Sequence, residues 1–270
     1  MACLSNELLV ELECPVCTEF MCPPIRQCVT GHSFCDSCYH KLKDCPTCRK
    51  PKGIARSFAL EKLYSKLNIP CRNRFDGCKF VDVGRKIKDH EEFCYYGEKE
   101  CPLQRINNCQ WFGKMTSMID HCKDKHSSNV FVANKQKLTC TNFYNCNSAK
   151  ACYYILFEAY DELFKCCWEI DVNGLMKWCV YYLGLPRNAR NYYYEIEIMD
   201  QDPNKSPTNN IVVRSPCKPY PVDNVFNYNN CTLMHYDMVS QYCKDGELMY
   251  EVRIIVDGIY KLFNLGFDML

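Results

Sequence analysis

The sequence predicts a series of small zinc-stabilised modules followed by an all-β antiparallel sandwich, and three observations carry that prediction. Between Cys14 and Cys48, cysteines and one histidine recur at ligand spacing; between Cys71 and His126 a second Cys/His pattern occurs twice; from about Val130, short aromatic and β-branched runs replace both. A chain of 270 residues has room for about two ordinary domains, or for one domain alongside several small metal modules.

Taken in order, residues 1–13 form an N-terminal segment. It carries Glu7 and Glu11 and lacks a basic flank leading into an apolar core, so no secretory signal is expected there. Residues 14–49 follow as Cys14-x2-Cys17, Cys28-x3-His32-x2-Cys35-x2-Cys38 and Cys45-x2-Cys48. These eight side chains suffice for two tetrahedral zinc ions with no open coordination position. A tight knuckle lets two thiolates spaced this way face one point, and a histidine among the cysteines argues against a disulfide framework. So short a segment cannot bury enough apolar surface to fold alone. Metal binding of about 10 to 16 kcal/mol per site would supply the missing free energy.

Residues 50–70 begin with a Pro/Gly turn and then place Phe58, Leu60, Leu63 and Leu67 near helical spacing, which predicts a short linker helix. Residues 71–126 are an internal repeat, Cys71-x6-Cys78-x11-His90-x3-Cys94 and then Cys101-x7-Cys109-x11-His121-x4-His126. Each copy offers four zinc ligands, and the period suits a knuckle followed by a short helix. The expected total is therefore four zinc ions on sixteen ligands. Cys3, Cys22, Cys122, His40 and His235 are left without a slot, Cys122 as a bystander thiol beside His121.

From residue 130 to 257, segments such as ACYYILFEAY, LFKCCWEI, LMKWCVYYLG, NYYYEIEIMD and LMYEVRIIVDG read as strands. Tyr194, Ile196 and Ile198 alternate with Glu195 and Glu197, the pattern of a half-buried strand. The cysteines from Cys140 to Cys243 lack paired spacing and read as small buried hydrophobes. A proline-rich connection is expected from Pro203 to Pro221, with a strand at Ile211 to Val213, and residues 258–270 read as a tail. No nucleophile, base and orienting group can be picked out in this half.

Formal net charge is +1, which excludes the strong basic field of a nucleic-acid binder. The finger helices carry Asp89, Glu91, Glu92 and Asp120 among their basic residues, diluting any phosphate-facing charge further. No apolar run approaches the length of a membrane span. The 24 cysteines, many at ligand spacing beside histidines, point to a reducing setting, cytoplasmic or nuclear.

The stretches ECPVCTEFMCPPIRQCVTGHSFCDSC and CPTCR resemble a RING finger. With RSFALEKL and the doubled finger, the chain resembles the seven-in-absentia family of RING-type E3 ubiquitin-protein ligases. LGLPRNARNYYYEIEI and NCTLMHYDMVSQYCKDGELMYEVRI are similar in spacing to that family's TRAF-like substrate-binding domain. Residues 201–229 and the C-terminal tail depart from the pattern, so substrate choice does not carry over.

The resemblance implies interleaved zinc sites, with Cys14, Cys17, Cys35 and Cys38 on one ion and Cys28, His32, Cys45 and Cys48 on the other. It implies ubiquitin, a ubiquitin-conjugating enzyme and protein substrates or adaptors as partners, a homodimer, and proteasomal degradation of the substrate. The positions matching the surface that holds the charged conjugating enzyme are Val16, Leu42 and Pro46, with Arg49 matching a basic residue that hydrogen-bonds both proteins of the conjugate. A ligase of this kind forms no covalent ubiquitin intermediate, because its cysteines are occupied by zinc. The competing class is a non-catalytic adaptor that keeps the zinc modules and sandwich but binds no conjugating enzyme.

Overall fold

A computed structural model describes residues 7–146, 152–201, 209–220 and 231–257, and the chain divides into two compact units between Gly97 and Glu98. Residues 202–208 and 221–230, which overlap the divergent stretch, and the tail 258–270 lie outside the described residues. Among the described residues no helix is long and apolar enough to cross a membrane.

The first unit contains a small antiparallel sheet of β1 (Ile25–Cys28), β2 (Ser33–Cys35) and β3 (Lys52–Arg56), in the order β2-β1-β3. Helix α1 (Asp36–Lys41) follows β2, and α2 (Phe58–Tyr64) follows β3. Strands β4 (Asn68–Pro70) and β5 (Val81–Val83) pair, and α3 (Gly84–Glu92) leaves β5 directly. Leu12, Met21, Ile25, Phe34, Tyr64, Ile69 and Ile87 form a core with the cysteines of the first metal pattern. Burial of the knuckle cysteines therefore coincides with burial of the few apolar residues available.

The stretch 50–70 differs from a simple linker helix. Its first half is β3, which occupies the free edge of β1, and the helix covers only Phe58–Tyr64. Gly53 permits this pairing, since a Cβ there would come within 2.8 Å of the Gln27 carbonyl oxygen. Phe58 faces outward, 70 % exposed under the Arg56 guanidinium, while Tyr64 is the residue that α2 buries.

The second unit opens with the hairpin β6 (Glu98–Glu100) and β7 (Phe112–Lys114), followed by α4 (Met118–Lys125). Its sandwich comprises β8 (Val130–Val132), β9 (Lys135–Cys140), β10 (Cys152–Ala159), β11 (Glu162–Ile170), β12 (Leu175–Tyr182), β13 (Tyr192–Ile198), β14 (Ile211–Pro216), β15 (Lys218–Pro219), β16 (Thr232–His235) and β17 (Leu248–Val256), with α5 (Tyr236–Ser240) after β16. One sheet runs β15-β12-β11-β10-β8, with β16 also on β12; the other runs β14-β13-β17-β9. Pairing is antiparallel apart from β8 with β10 and β12 with β15.

Between the sheets Phe157, Trp168, Trp178, Tyr194, Tyr250 and Val252 belong to one buried cluster. Strand β13 shows the expected alternation, but β10, β11 and β12 are buried over continuous runs. Their second face is covered as well: Tyr154, Leu156, Cys167, Cys179, Tyr181 and Leu183 pack in one cluster with Leu103, Met115 and Met118 of the second finger. Strands covered on both faces lose their polar alternation. Most sandwich cysteines are buried or partly buried, but Cys152 is exposed.

By its sequence, the strand Tyr153 to Glu158 is a candidate free edge for an extended peptide. That edge is largely occupied: Leu156, Phe157 and Glu158 pair with β8, and Asn129 Nδ2 donates to the Tyr154 carbonyl at 3.0 Å.

Candidate functional site

Four groups of side chains bring their ligand atoms within 4.8 Å of one another: Cys14, Cys17, Cys35 and Cys38; Cys28, His32, Cys45 and Cys48; Cys71, Cys78, His90 and Cys94; Cys101, Cys109, His121 and His126. The first two interleave along the sequence, each drawing one pair from an early knuckle or strand end and another from farther on. Strand β2 and helix α1 supply Cys35 and Cys38, and the end of β1 supplies Cys28. Sγ separations of 3.8 Å for Cys17–Cys35 and 3.9 Å for Cys28–Cys48 fit a tetrahedral zinc ion, whose Zn–S bonds of about 2.3 Å place sulfurs roughly 3.8 Å apart. Closed sets of thiolate and imidazole donors suit a structural ion.

The two Cys-x2-Cys knuckles of the first pattern are built alike. Thr18 N donates to Cys14 O at 2.9 Å, and Arg49 N donates to Cys45 O at 2.8 Å. The residue after each pair is left-handed, Thr18 at φ 61° and Arg49 at φ 60°. Such a backbone costs a non-glycine residue about 1 to 2 kcal/mol, and the backbone bonds that close each knuckle hold it in place.

Thr30, which sequence spacing did not single out, lies with its Oγ1 3.0 Å from both Cys28 Sγ and Cys48 Sγ and 3.2 Å from His32 Nδ1. Burial pushes the Cys28 thiol up, but the Thr30 hydroxyl and the amides of Thr30 and His32 outweigh it and bring the thiol down to about 5. The site thus favours the thiolate that a metal requires.

The doubled fingers share a second feature absent from the ligand pattern. Phe80 stacks on His90 with centroids 4.1 Å apart, and Trp111 stacks on His121 at 4.6 Å. Each aromatic falls two residues after its finger's second cysteine, so alignment of the two copies would have found both. Cys122, fully buried, has its Sγ 3.9 Å from Cys101 Sγ and stays outside the fourth ligand group. Its thiol hydrogen-bonds to Cys101 and brings that ligand down to about 5.

On the surface of the first module, Val16 is 41 % exposed, and Pro46 and Arg49 are also exposed. Leu42 is half-buried against the core of the same unit, so little of it is available to a partner.

Residues 14–48 match the RING finger described as that of the E3 ubiquitin-protein ligase sina/sinah, and residues 62–143 match the Sina zinc finger. Both matched models describe modules of the seven-in-absentia family. The chain is 40 % identical over 124 residues to E3 ubiquitin-protein ligase siah-1 of Caenorhabditis briggsae, covering 46 % of this chain and 28 % of that protein. It is 40 % identical over 123 residues to the putative E3 ubiquitin-protein ligase SINAT1 of Arabidopsis thaliana, 45 % of this chain and 40 % of the relative. It is 38 % identical over 125 residues to E3 ubiquitin-protein ligase sina of Drosophila melanogaster, 46 % of this chain and 40 % of the relative. The matched part spans less than half the length of each of these relatives. The Sina RING and Sina fingers account for every member of the four ligand groups, and these modules bind zinc.

Proposed function

We propose that this chain is a RING-type E3 ubiquitin ligase that holds a ubiquitin-charged conjugating enzyme on its RING and recruits protein substrates or adaptors through its sandwich. The observation that carries the reading is a RING with two closed, interleaved ligand groups and with Val16 and Pro46 exposed inside its knuckles. With four zinc ions bound, none of these cysteines is free to accept ubiquitin as a thioester, and no open metal position activates water. Transfer then rests on positioning: a thioester held near a substrate lysine reacts in a near-intramolecular step. Val16 and Pro46 supply apolar contact with the conjugating enzyme, and Leu42 contributes its exposed remainder. Arg49 offers a guanidinium fork that can hydrogen-bond the conjugating enzyme and ubiquitin at once.

The sandwich serves as the substrate-recruiting and dimerising part, in a cytoplasmic or nuclear setting, and substrates marked by it are degraded by the proteasome. Incubation of the purified chain with activating enzyme, a panel of conjugating enzymes, ubiquitin and ATP tests the reading. Ubiquitin chains on the protein itself, lost when Cys45 is replaced by serine, are expected. A zinc-loaded protein that binds no conjugating enzyme would instead be a non-catalytic adaptor.

A further inference from the structure

We propose that the first zinc finger positions the first RING knuckle through Arg74, so that the finger tunes how tightly the RING grips a conjugating enzyme. This builds on the ligase reading above. Arg74 lies inside the finger's own knuckle, between Cys71 and Cys78. Its amide donates to Cys71 O at 3.0 Å, its carbonyl accepts from Gly77 N at 3.2 Å, and Cys78 N donates to Asn73 O at 3.1 Å. The backbone of Arg74 is therefore fixed by the metal-binding loop. Its side chain reaches away from that loop to the RING.

The guanidinium carbon stands 4.9 Å from the centre of the Phe20 ring and 4.4 Å from that of Phe75, a cation between two aromatic faces. Arg74 Nη1 lies 3.7 Å from Glu19 Oε2. Both atoms are shielded from solvent and have no hydrogen-bond partner, although the Glu19 side chain as a whole is 47 % exposed. Glu19 and Phe20 are the residues that close the knuckle bearing Val16: Cys14 N donates to Glu19 O at 2.8 Å, and Phe20 bridges to Glu13. The Arg74 side chain thus runs from the finger to the base of the loop that displays the conjugating-enzyme contact. The second RING knuckle closes on its own backbone bonds, Cys45 N to Lys50 O at 2.9 Å and Arg49 N to Cys45 O at 2.8 Å.

The test compares wild type, Arg74→Ala, Arg74→Lys, Glu19→Gln and the double variant Arg74→Ala with Glu19→Gln in the full zinc-loaded chain. Amide hydrogen exchange at Thr18 and Cys14 reads the clamp, with Arg49 as the internal control, and titration with uncharged conjugating enzyme reads the consequence. Arg74→Ala should speed exchange at Thr18 but not at Arg49 and weaken binding about five- to tenfold, with zinc content unchanged. Arg74→Lys, which keeps the cation over the rings, should recover part of the loss, and the effects of Arg74→Ala and Glu19→Gln should be non-additive.

Wild-type exchange at Thr18 in Arg74→Ala, or additive effects in the double variant, would overturn the clamp. Should Arg74→Ala lose zinc, Glu19→Gln alone carries the test, with faster Thr18 exchange expected and wild-type exchange fatal. A wild-type chain that binds no conjugating enzyme sinks the ligase reading and the affinity half of the proposal, whereas exchange at Thr18 still decides the clamp.

Discussion

Arg105 of the second finger donates from Nη1 to the hydroxyl of Tyr154 on β10 at 3.0 Å. Around that bond, Leu103, Met115 and Met118 share an apolar cluster with Leu156, Tyr181 and Leu183 of the sheet, so the finger serves as the cover of one sandwich face. A sandwich with its own apolar core would be largely spared by metal removal, but the shared cluster ties part of one face to the finger.

Chelation of zinc should therefore unfold the first unit and also loosen the sandwich. Calorimetry of the metal-free chain should show the sandwich transition at lower temperature, and amides of β10 to β12 should exchange faster than those of β13 and β17. Leu103→Ala in the zinc-loaded chain should cost about 2 to 5 kcal/mol, the range for a fully buried leucine. An unchanged sandwich transition after chelation would show that the finger contributes nothing to it.

Lys165 lies on the same covered face, 3 % exposed, with its Nζ over the rings of Tyr154 and Tyr220 at 4.9 and 5.2 Å. Among the described residues no carboxylate pairs with it. Burial holds its ammonium below the ordinary value of 10.5, with nearby Arg105 acting in the same direction. Below the lowered folded value both states are protonated, and the folded chain bears the full cost. Between that value and 10.5 the unfolded chain binds more protons, so stability rises with pH. Lys165→Met should raise stability at pH 7 by about 1 kcal/mol and flatten the alkaline rise. Denaturant titrations at neutral and alkaline pH measure both effects.

Val16 and Arg49 should fail in different ways. Val16→Ala removes apolar contact, so affinity for the uncharged conjugating enzyme and transfer should fall together, about tenfold for a contact worth roughly 1.4 kcal/mol. Arg49→Ala should leave zinc content and that affinity nearly intact while slowing discharge of the thioester onto free lysine in single turnover, because its hydrogen bonds matter when the conjugate is held ready to react. If Arg49→Ala weakens binding as much as Val16→Ala, the guanidinium has no such role.

Trp168 Nε1 donates to the Tyr250 hydroxyl at 3.2 Å in the middle of the sandwich, where both residues are only 2 % exposed. Tyr250→Phe keeps the ring and strands the indole N–H, at a cost of about 1 to 3 kcal/mol. The denaturation midpoint should fall with little change in slope. A larger loss with a changed slope would point to a rearranged core.

The ligand pattern, the finger repeat and the alternation of Tyr194 with Glu195 were legible in the sequence because each is a relation among residues a few positions apart, set by knuckle, helix and strand geometry. Distance along the chain says nothing about which face a neighbour will cover. The tertiary structure alone decided that Gly53 carries β3 onto β1, that Asn129 and β8 occupy the edge of β10, and that the second finger roofs β10 to β12. It also decided that Cys122 supports Cys101 and that Thr30 sits among the ligands of the second site. Each of these depends on packing between segments remote in sequence or on the direction of one side chain, which only the closed fold determines.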